Sequence, residues 1–280
     1  YMPHLGYNQP TAWPDNGEIR HEFYRLANRE TMTAAQWHFA ALSRQVEELY
    51  DCEADPQNLK NLVGSKKHRN ILKRMQAEHI LHITETADLG FLPESEAWTM
   101  FAKQTGWELG QAGGVPLAGI HQAAAQVGVA SESVFLKNLD SANPTIRYWG
   151  AIGLAVRPKI SGLAKRVLRR KLGDPSLAVR IEMANALATH GDISNALPPL
   201  MNAIQHENLI VVTHAARAVE LLGERAKSAK HAMEQALKRA ELIRPPDTPA
   251  TVVLPGDKDL AMFVAFSCRA FLDGLERWRD

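Results

Sequence analysis

Cysteine is nearly missing from this sequence. Two residues in 280, Cys52 and Cys268, exclude a disulfide framework and a cysteine-rich zinc site. They fix no redox compartment. Long apolar runs are missing too. No stretch reaches the roughly 18 consecutive apolar residues of a membrane span, and the richest, Leu260 to Phe266, is far shorter. An excess of one charge is also lacking. The formal net charge is +1 with 22% charged residues, which excludes a disordered polyelectrolyte and a uniformly basic nucleic-acid binder. What is present suffices for a core, since 45% of the residues are apolar. At roughly 100–200 residues per domain, the length suggests about two domains. The opening Tyr1-Met2-Pro3-His4 carries no basic, apolar, small-residue leader. The chain is therefore expected to be a fragment whose upstream part is missing.

The small net charge conceals an uneven distribution. Residues 1–112 carry 11 Lys+Arg against 15 Asp+Glu, residues 113–244 carry 17 against 10, and residues 245–280 carry 4 against 6. A basic middle between acidic neighbours places a boundary near residue 112. Gln111-Ala112-Gly113-Gly114-Val115-Pro116 reads there as a connector.

The middle of the chain repeats itself. Phe135, Leu168 and Leu200 are 33 and 32 residues apart, and Leu139, Leu172 and Ile204 keep the same spacing. So do Ile146, Val179 and Val211, then Ala151, Ala184 and Ala216, then Leu154, Leu187 and Val219. Within each unit the apolar positions fall on two helices joined by a polar turn. The turns hold breakers: Ser141-Ala142-Asn143-Pro144, Gly173-Asp174-Pro175 and His206-Glu207-Asn208. Gly150, Ala151, Ala184, Ala215 and Ala216 would let neighbouring helices approach closely. Met233 and Leu237 extend the series, and Leu260, Val264, Ala265 and Cys268 repeat the first-helix spacing after an insertion. That insertion, Arg244 to Asp257, is expected to be a loop because it holds four prolines. Ile120, Ala124 and Ala125 look like a degenerate first unit. The pattern resembles HEAT-like repeats, stacked helix pairs forming a right-handed solenoid. Arg147, Arg180 and Asp174 match that family's usual Asp/Arg pair. An irregular helical bundle with chance spacing is the competing reading. A solenoid buries its core by stacking and presents a long surface to a partner.

The first hundred residues have a different texture. Tyr1 to Gly6 reads as a strand remnant, and Asn8 to Asn16 as loop. Glu18 to about Ala27 is predicted helical, with Ile19, Phe23 and Leu26 on one face. Thr33 to about Leu42 is a second short helix. Val46 to Asp51 mixes apolar and polar residues and is expected to be a strand. Lys66 to Thr84 is predicted as an amphipathic helix, with Ile71, Met75 and Ile80 or His79 inward.

Several motifs in this part carry a resemblance. Glu48-Leu49-Tyr50-Asp51, then Asp55-Pro56, then Asn61-Leu62 resembles the closing signature of the sulfatase family. Met2-Pro3-His4, Gln9-Pro10-Thr11 with Trp13, and Arg20-His21 with Tyr24-Arg25 are similar to its sulfamidase-like (heparan N-sulfatase) branch. Glu85-Thr86 with Asp88, then Gly90-Phe91-Leu92-Pro93-Glu94, is similar to bacterial members with a helical C-terminal extension. The resemblance covers about residues 1–110. It implies a small α+β subdomain of the sulfatase C-terminal type at 1–112; with the repeats, the expected chain is mainly α and continues as an α-solenoid of HEAT-like helix pairs at 113–280. The resemblance further implies a periplasmic or secreted parent enzyme that cleaves sulfate esters or N-sulfates of glycans in the family's usual manner, with calcium and a formylglycine made within a C/S-x-P-x-R motif. Cys52 is followed by Glu53-Ala54-Asp55 and Cys268 by Arg269-Ala270-Phe271, so neither begins that motif. The formylglycine and the metal ligands would lie upstream of Tyr1, and this chain alone is expected to be catalytically inert. Its foremost partner would then be its own N-terminal catalytic domain.

The family's small subdomain abuts the active-site cleft, which makes His4, Trp13, Arg20 and His21 candidates for a substrate edge. An Arg pairs bidentately with sulfate or carboxylate, and a Trp stacks on a sugar ring. The plainer reading makes Trp13 core and Arg20-His21 a solvated helix face. Lys165, Arg166, Arg169, Arg170 and Lys171 form the densest charge cluster, with i,i+4 like-charge neighbours on one helix face. Such a ridge suits a polyanion such as a sulfated glycan, or is simply a solvated outer face. Nucleic acid is a weaker candidate, because no aromatics interleave with the cluster. His79 and His82, with Glu78 and Glu85, have helical spacing for zinc but no firm third ligand. His214 reads as an interhelical residue. The alternative function is a non-enzymatic HEAT-repeat scaffold making protein or homo-oligomer contacts.

Overall fold

The computed structural model describes residues 2, 5–7, 17–27, 31–41, 43–249 and 252–277. The chain is mainly helical, and no strand occurs among the described residues. Contacts divide it into two compact units, Tyr1–Leu89 with Gly110–Val129, and Gly90–Leu109 with Ala130–Asp280.

The first unit contains α1 (Glu18–Ala27), α2 (Ala34–Ala40), α3 (Arg69–Glu85) and α6 (Leu117–Ala125). α2 begins where the sequence places a cap: Thr33 and Gln36 bond each other's backbone amides, a capping box. α1 rests on α2, with the rings of Phe23 and Phe39 5.4 Å apart. α3 forms as predicted but does not bury the predicted face. Ile71, Met75 and Ile80 are 42%, 53% and 48% exposed, His79 is exposed, and Ile83 is the helix's one buried residue. The reason is that no described element of this unit covers that face. His121 of α6 is buried and bonds the carbonyl of Asp88 at 3.3 Å.

The expected strand over 46–51 is corrected as well. Among the described residues this stretch is irregular, because no second extended segment lies alongside it. Leu49 instead accepts from the Leu62 amide at 2.7 Å, and its own amide donates to the Asn61 side chain at 3.1 Å. The small α+β subdomain therefore has no strand in the described residues. Of the remnant at Tyr1–Gly6, residues 1, 3 and 4 lie outside them, and Met2, Leu5 and Gly6 are not in a strand.

The second unit opens with α4 (Glu94–Phe101); α5 (Gly106–Gln111) runs from it into the first unit. Then follow α7 (Glu132–Asn138), α8 (Pro144–Ala155), α9 (Gly162–Lys171), α10 (Leu177–Thr189), α11 (Ile193–Ile204), α12 (Leu209–Leu222), α13 (Lys230–Ile243) and α14 (Ala261–Arg277). The polar turns work as caps. Asn143, Ser161, Ser176 and Asn208 each accept an amide proton from the first turn of the helix they precede, satisfying donors that have no intrahelical partner. Successive helices pair as α7/α8, α9/α10, α11/α12 and α13/α14. Their second members form a row in which α8 packs on α10, α10 on α12, and α12 on α14. α14 thus takes a second-helix place, although its spacing matched the first helices. The insertion lies between the two members of this pair, after the first helix α13, and lengthens their turn.

The repeating columns are the core of this unit. Phe135, Leu168, Leu200 and Met233 are buried in turn, as are Ala151, Ala184 and Ala216, then Leu154, Leu187 and Val219. Each large member contributes about 1.5–3 kcal/mol by leaving water. The small residues set the helix separation. A Cβ on Gly153 would lie 2.2 Å from the Phe135 ring, so α7 and α8 meet there without room for a methyl group.

Polar groups join one repeat to the next. Arg147 of α8 forms a fork to Asp174, with Nε to Oδ2 at 2.7 Å and Nη2 to Oδ1 at 2.8 Å, and also donates to the carbonyls of Ser141 and Ala142 at 3.0 Å each. Both side chains are nearly buried, at 12% and 7% exposure. Leaving either partner alone would cost about 3–5 kcal/mol. The Arg244–Asp257 insertion is a loop over its described first residues. Buried Arg244 ties it down by pairing with Asp259 and by donating to the carbonyls of Val252 at 3.0 Å and Pro249 at 2.9 Å.

Candidate functional site

The first site to consider is the motif loop at residues 47–63. Its polar side chains are spent on folding the loop. Asn61 accepts from the amides of Leu49 and Val63 and donates to the carbonyl of Glu47 at 3.1 Å. Asp51 accepts from the amides of Glu53 and Ala54, and Asp55 from that of Lys60 at 2.7 Å. These residue types are needed because a carboxylate or amide oxygen closes a turn by accepting amides two to five residues on. Beside the loop, the Tyr7 hydroxyl donates to Glu48, and Arg44 lies 5.4 Å from the Tyr7 ring centre. Burial and then the bonded Glu48 push the Tyr7 phenol up to about 12. Glu48 Oε1 and the Tyr50 hydroxyl are buried, with no partner at hydrogen-bond geometry among the described residues. Close by, a cavity of about 550 Å³ opens between this loop and α3, lined by Val46, Leu49, Leu72, Met75, His79 and Val127 among others.

Of the substrate-edge candidates, His4 and Trp13 lie outside the described residues. Arg20 is half-buried on α1 and has an interaction partner, and His21 is exposed. The Gly90–Glu94 motif serves packing. Phe91, Leu92 and Pro93 are buried, and the Trp149 indole donates to the Phe91 carbonyl at 2.9 Å.

The five-cation ridge sits on α9, but the structure divides it. Arg169 pairs with buried Asp192, which precedes α11, and Lys171 with Asp140 at 2.8 Å. Lys165 donates to the His190 carbonyl at 2.6 Å. These three cations join neighbouring repeats. Arg166 and Arg170 are exposed. For Asp192, burial alone would raise the carboxyl. Bonds from Asn195 and Arg169, with the charges of Arg169 and Lys165, outweigh it and hold the group below the usual carboxylate range.

A second cavity, of about 360 Å³, lies in the second unit between α4, α8, α12 and α14. Glu94, Tyr148, His214, Arg217, Leu260 and Phe263 are among its lining residues. Sequence reading missed it, because its walls come from positions up to 169 residues apart in Glu94 and Phe263. His214 is interhelical, as its position in the repeat suggested, with Nε2 2.7 Å from Glu182 of α10. Arg217 pairs with Glu220 on its own helix. α4 is held over the row by Ser176, whose hydroxyl donates to Glu96.

No three His, Cys, Asp or Glu side chains among the described residues converge as metal ligands. Among the described residues the side-chain donors therefore do not fit a calcium site, and Cys52 is exposed while Cys268 is buried. Among the described residues no helix is long and apolar enough to cross a membrane.

The chain is similar to an ulvan-active sulfatase of Formosa agariphila, at 31% identity over 96 residues. The match takes in 34% of this chain and 16% of that protein. The chain therefore spans about a sixth of the length of the curated relative it matches. No protein-family profile matches the chain, and no solved structure does.

Proposed function

We propose that this chain is the C-terminal portion of a periplasmic or secreted sulfatase acting on sulfate esters or N-sulfates of glycans. The carrying observation is the 31% identity over 96 residues to the ulvan-active sulfatase. The order of the Glu48–Asp51, Asp55-Pro56 and Asn61-Leu62 motifs supports it, as does their use in one closed loop. In this reading a catalytic domain upstream supplies the formylglycine and the calcium, in a sulfamidase-like or ester-cleaving site. That domain covers the exposed face of α3 and offers partners to Glu48 and Tyr50. Burying a polar atom unbonded costs about 1–3 kcal/mol, which such a contact would relieve.

The second unit is then a HEAT-like extension of helix pairs. Arg166 and Arg170 are the part of the α9 ridge available to a sulfated glycan, with Arg169, Lys165 and Lys171 adding to the local field. His4, Trp13, Arg20 and His21 remain the substrate-edge candidates.

The test is to read the coding sequence upstream of Tyr1 and assay the whole protein for sulfate release from ulvan and from heparan sulfate. A C/S-x-P-x-R motif and released sulfate are expected. An upstream sequence without that motif, or a full-length protein that frees no sulfate, would overturn the reading in favour of a non-enzymatic scaffold.

A further inference from the structure

The cavity in the second unit has walls of two kinds. Ile210, Leu260 and Phe263 give it apolar surface, and Tyr148 adds an aromatic ring. Its charged lining residues are Glu94 and Arg217, and the charges that act on Tyr148 are carboxylates. The one Arg among its lining residues, Arg217, has its charge matched by Glu220. The Glu94 carboxylate accepts from an indole N–H, that of Trp98 at 3.3 Å, and pairs with no cation among the described residues. Glu182 stands behind His214, and Glu96 is on the same helix as Glu94. The Tyr148 hydroxyl makes no hydrogen bond among the described residues, and its ionisation is suppressed by burial and then by the charges of Glu182, Glu94 and Glu96. Three carboxylates thus act on one point in the cavity wall. A negative ligand would meet the same opposition as a phenolate. A positive one would be attracted by the field, and by the faces of Tyr148 and Phe263. At about 360 Å³ the space is at the small end of ligand pockets, roughly 300–1,000 Å³.

We propose that the cavity bounded by Glu94, Tyr148, His214 and Phe263 is a binding site for an organic cation, an alkylammonium or guanidinium group on a short carbon chain. The group is carried either by a free amine or by a Lys or Arg side chain. The charged head lies toward Glu94 and Tyr148, and the carbon chain lies against Phe263 and Leu260. This assignment is independent of the sulfatase reading, because it rests only on residues of the second unit.

The experiment follows the tyrosine-ring NMR signals of the intact chain, with Tyr148 assigned from its loss in Tyr148→Phe. The probes are n-butylammonium, n-butylguanidinium, the tripeptide acetyl-Gly-Arg-Gly-amide, and pentanoate as the anionic control. A saturable shift of the Tyr148 signal with the cations, none with pentanoate, and binding weakened about fivefold in Glu94→Gln are expected. Glu94 is exposed, so that variant keeps the fold. Tighter binding of the tripeptide than of butylguanidinium identifies a protein side chain as the source, and equal binding a free cation. Saturation by pentanoate, absence of any shift with the cations, or unchanged affinity in Glu94→Gln would overturn the proposal.

Discussion

At the scale of single residues, the sequence announced charge, but only the fold says how it is used. Asp192 shows how far this goes. It sits buried ahead of α11, with Arg169 and Asn195 bonded to it. Its folded pKa is lowered, so its stabilising interactions are fully present above the unfolded value of about 3.9 and are lost as pH falls through the folded value. Asp192→Asn should therefore lower the urea midpoint at neutral pH. The gap between variant and parent should narrow as pH falls below the unfolded value and through the folded one, because the parent then loses the charge that the variant never had. A gap that keeps its size across the acid range would refute this account. Arg166, Arg169 and Arg170 look alike in sequence. Only Arg169 reaches Asp192, a residue 23 positions away, and helical spacing within α9 does not see that far. The motif residues show the same limit. Asn61 and Asp55 were legible as a signature, but their bonds show them spent on a turn.

At the scale of elements, legibility followed the repeat. Periodic columns from Phe135 to Val219 located the packing of six helices, α7 to α12, because identical environments recur every 32 or 33 residues. The 46–51 stretch was misread because alternation alone is not a strand; a strand also needs an extended partner, and none lies beside it among the described residues. Gly153 offers a test of the packing at this scale. Replacing Gly by Ala inside a helix ordinarily adds about 1 kcal/mol of stability. Here the new Cβ would lie 2.2 Å from ring carbons of Phe135, a side chain only 1% exposed with no room to swing away. Overpacking of that kind costs about 1–3 kcal/mol, so the clash should win. Gly153→Ala is expected to lower stability in urea unfolding, and adding Phe135→Leu should restore part of the loss. A Gly153→Ala protein as stable as its parent would show that α7 and α8 are free to separate.

At the scale of the whole molecule, the apolar residues are shared unequally between the two units. The second holds one continuous buried cluster running from Phe135 to Leu275. The first buries far fewer large side chains, chiefly Leu49, Ile83, Ile120 and Val127, and leaves Ile71, Met75 and Leu81 of α3 open to solvent. Local stability follows buried apolar contact, so the units should open at different free energies. Amide exchange on the intact chain should be slowest in α8, α10 and α12, whose inward faces are wholly enclosed, and should approach the rate set by global unfolding there. The amides of α3 should exchange much faster, since Ile83 alone anchors that helix. Adding the upstream part of a longer protein, if it covers α3, would slow those amides and leave α10 unchanged. Protection in α3 equal to that in α10, in the chain as it stands, would mean that the open apolar face is no weakness and that nothing further is needed to hold the first unit together.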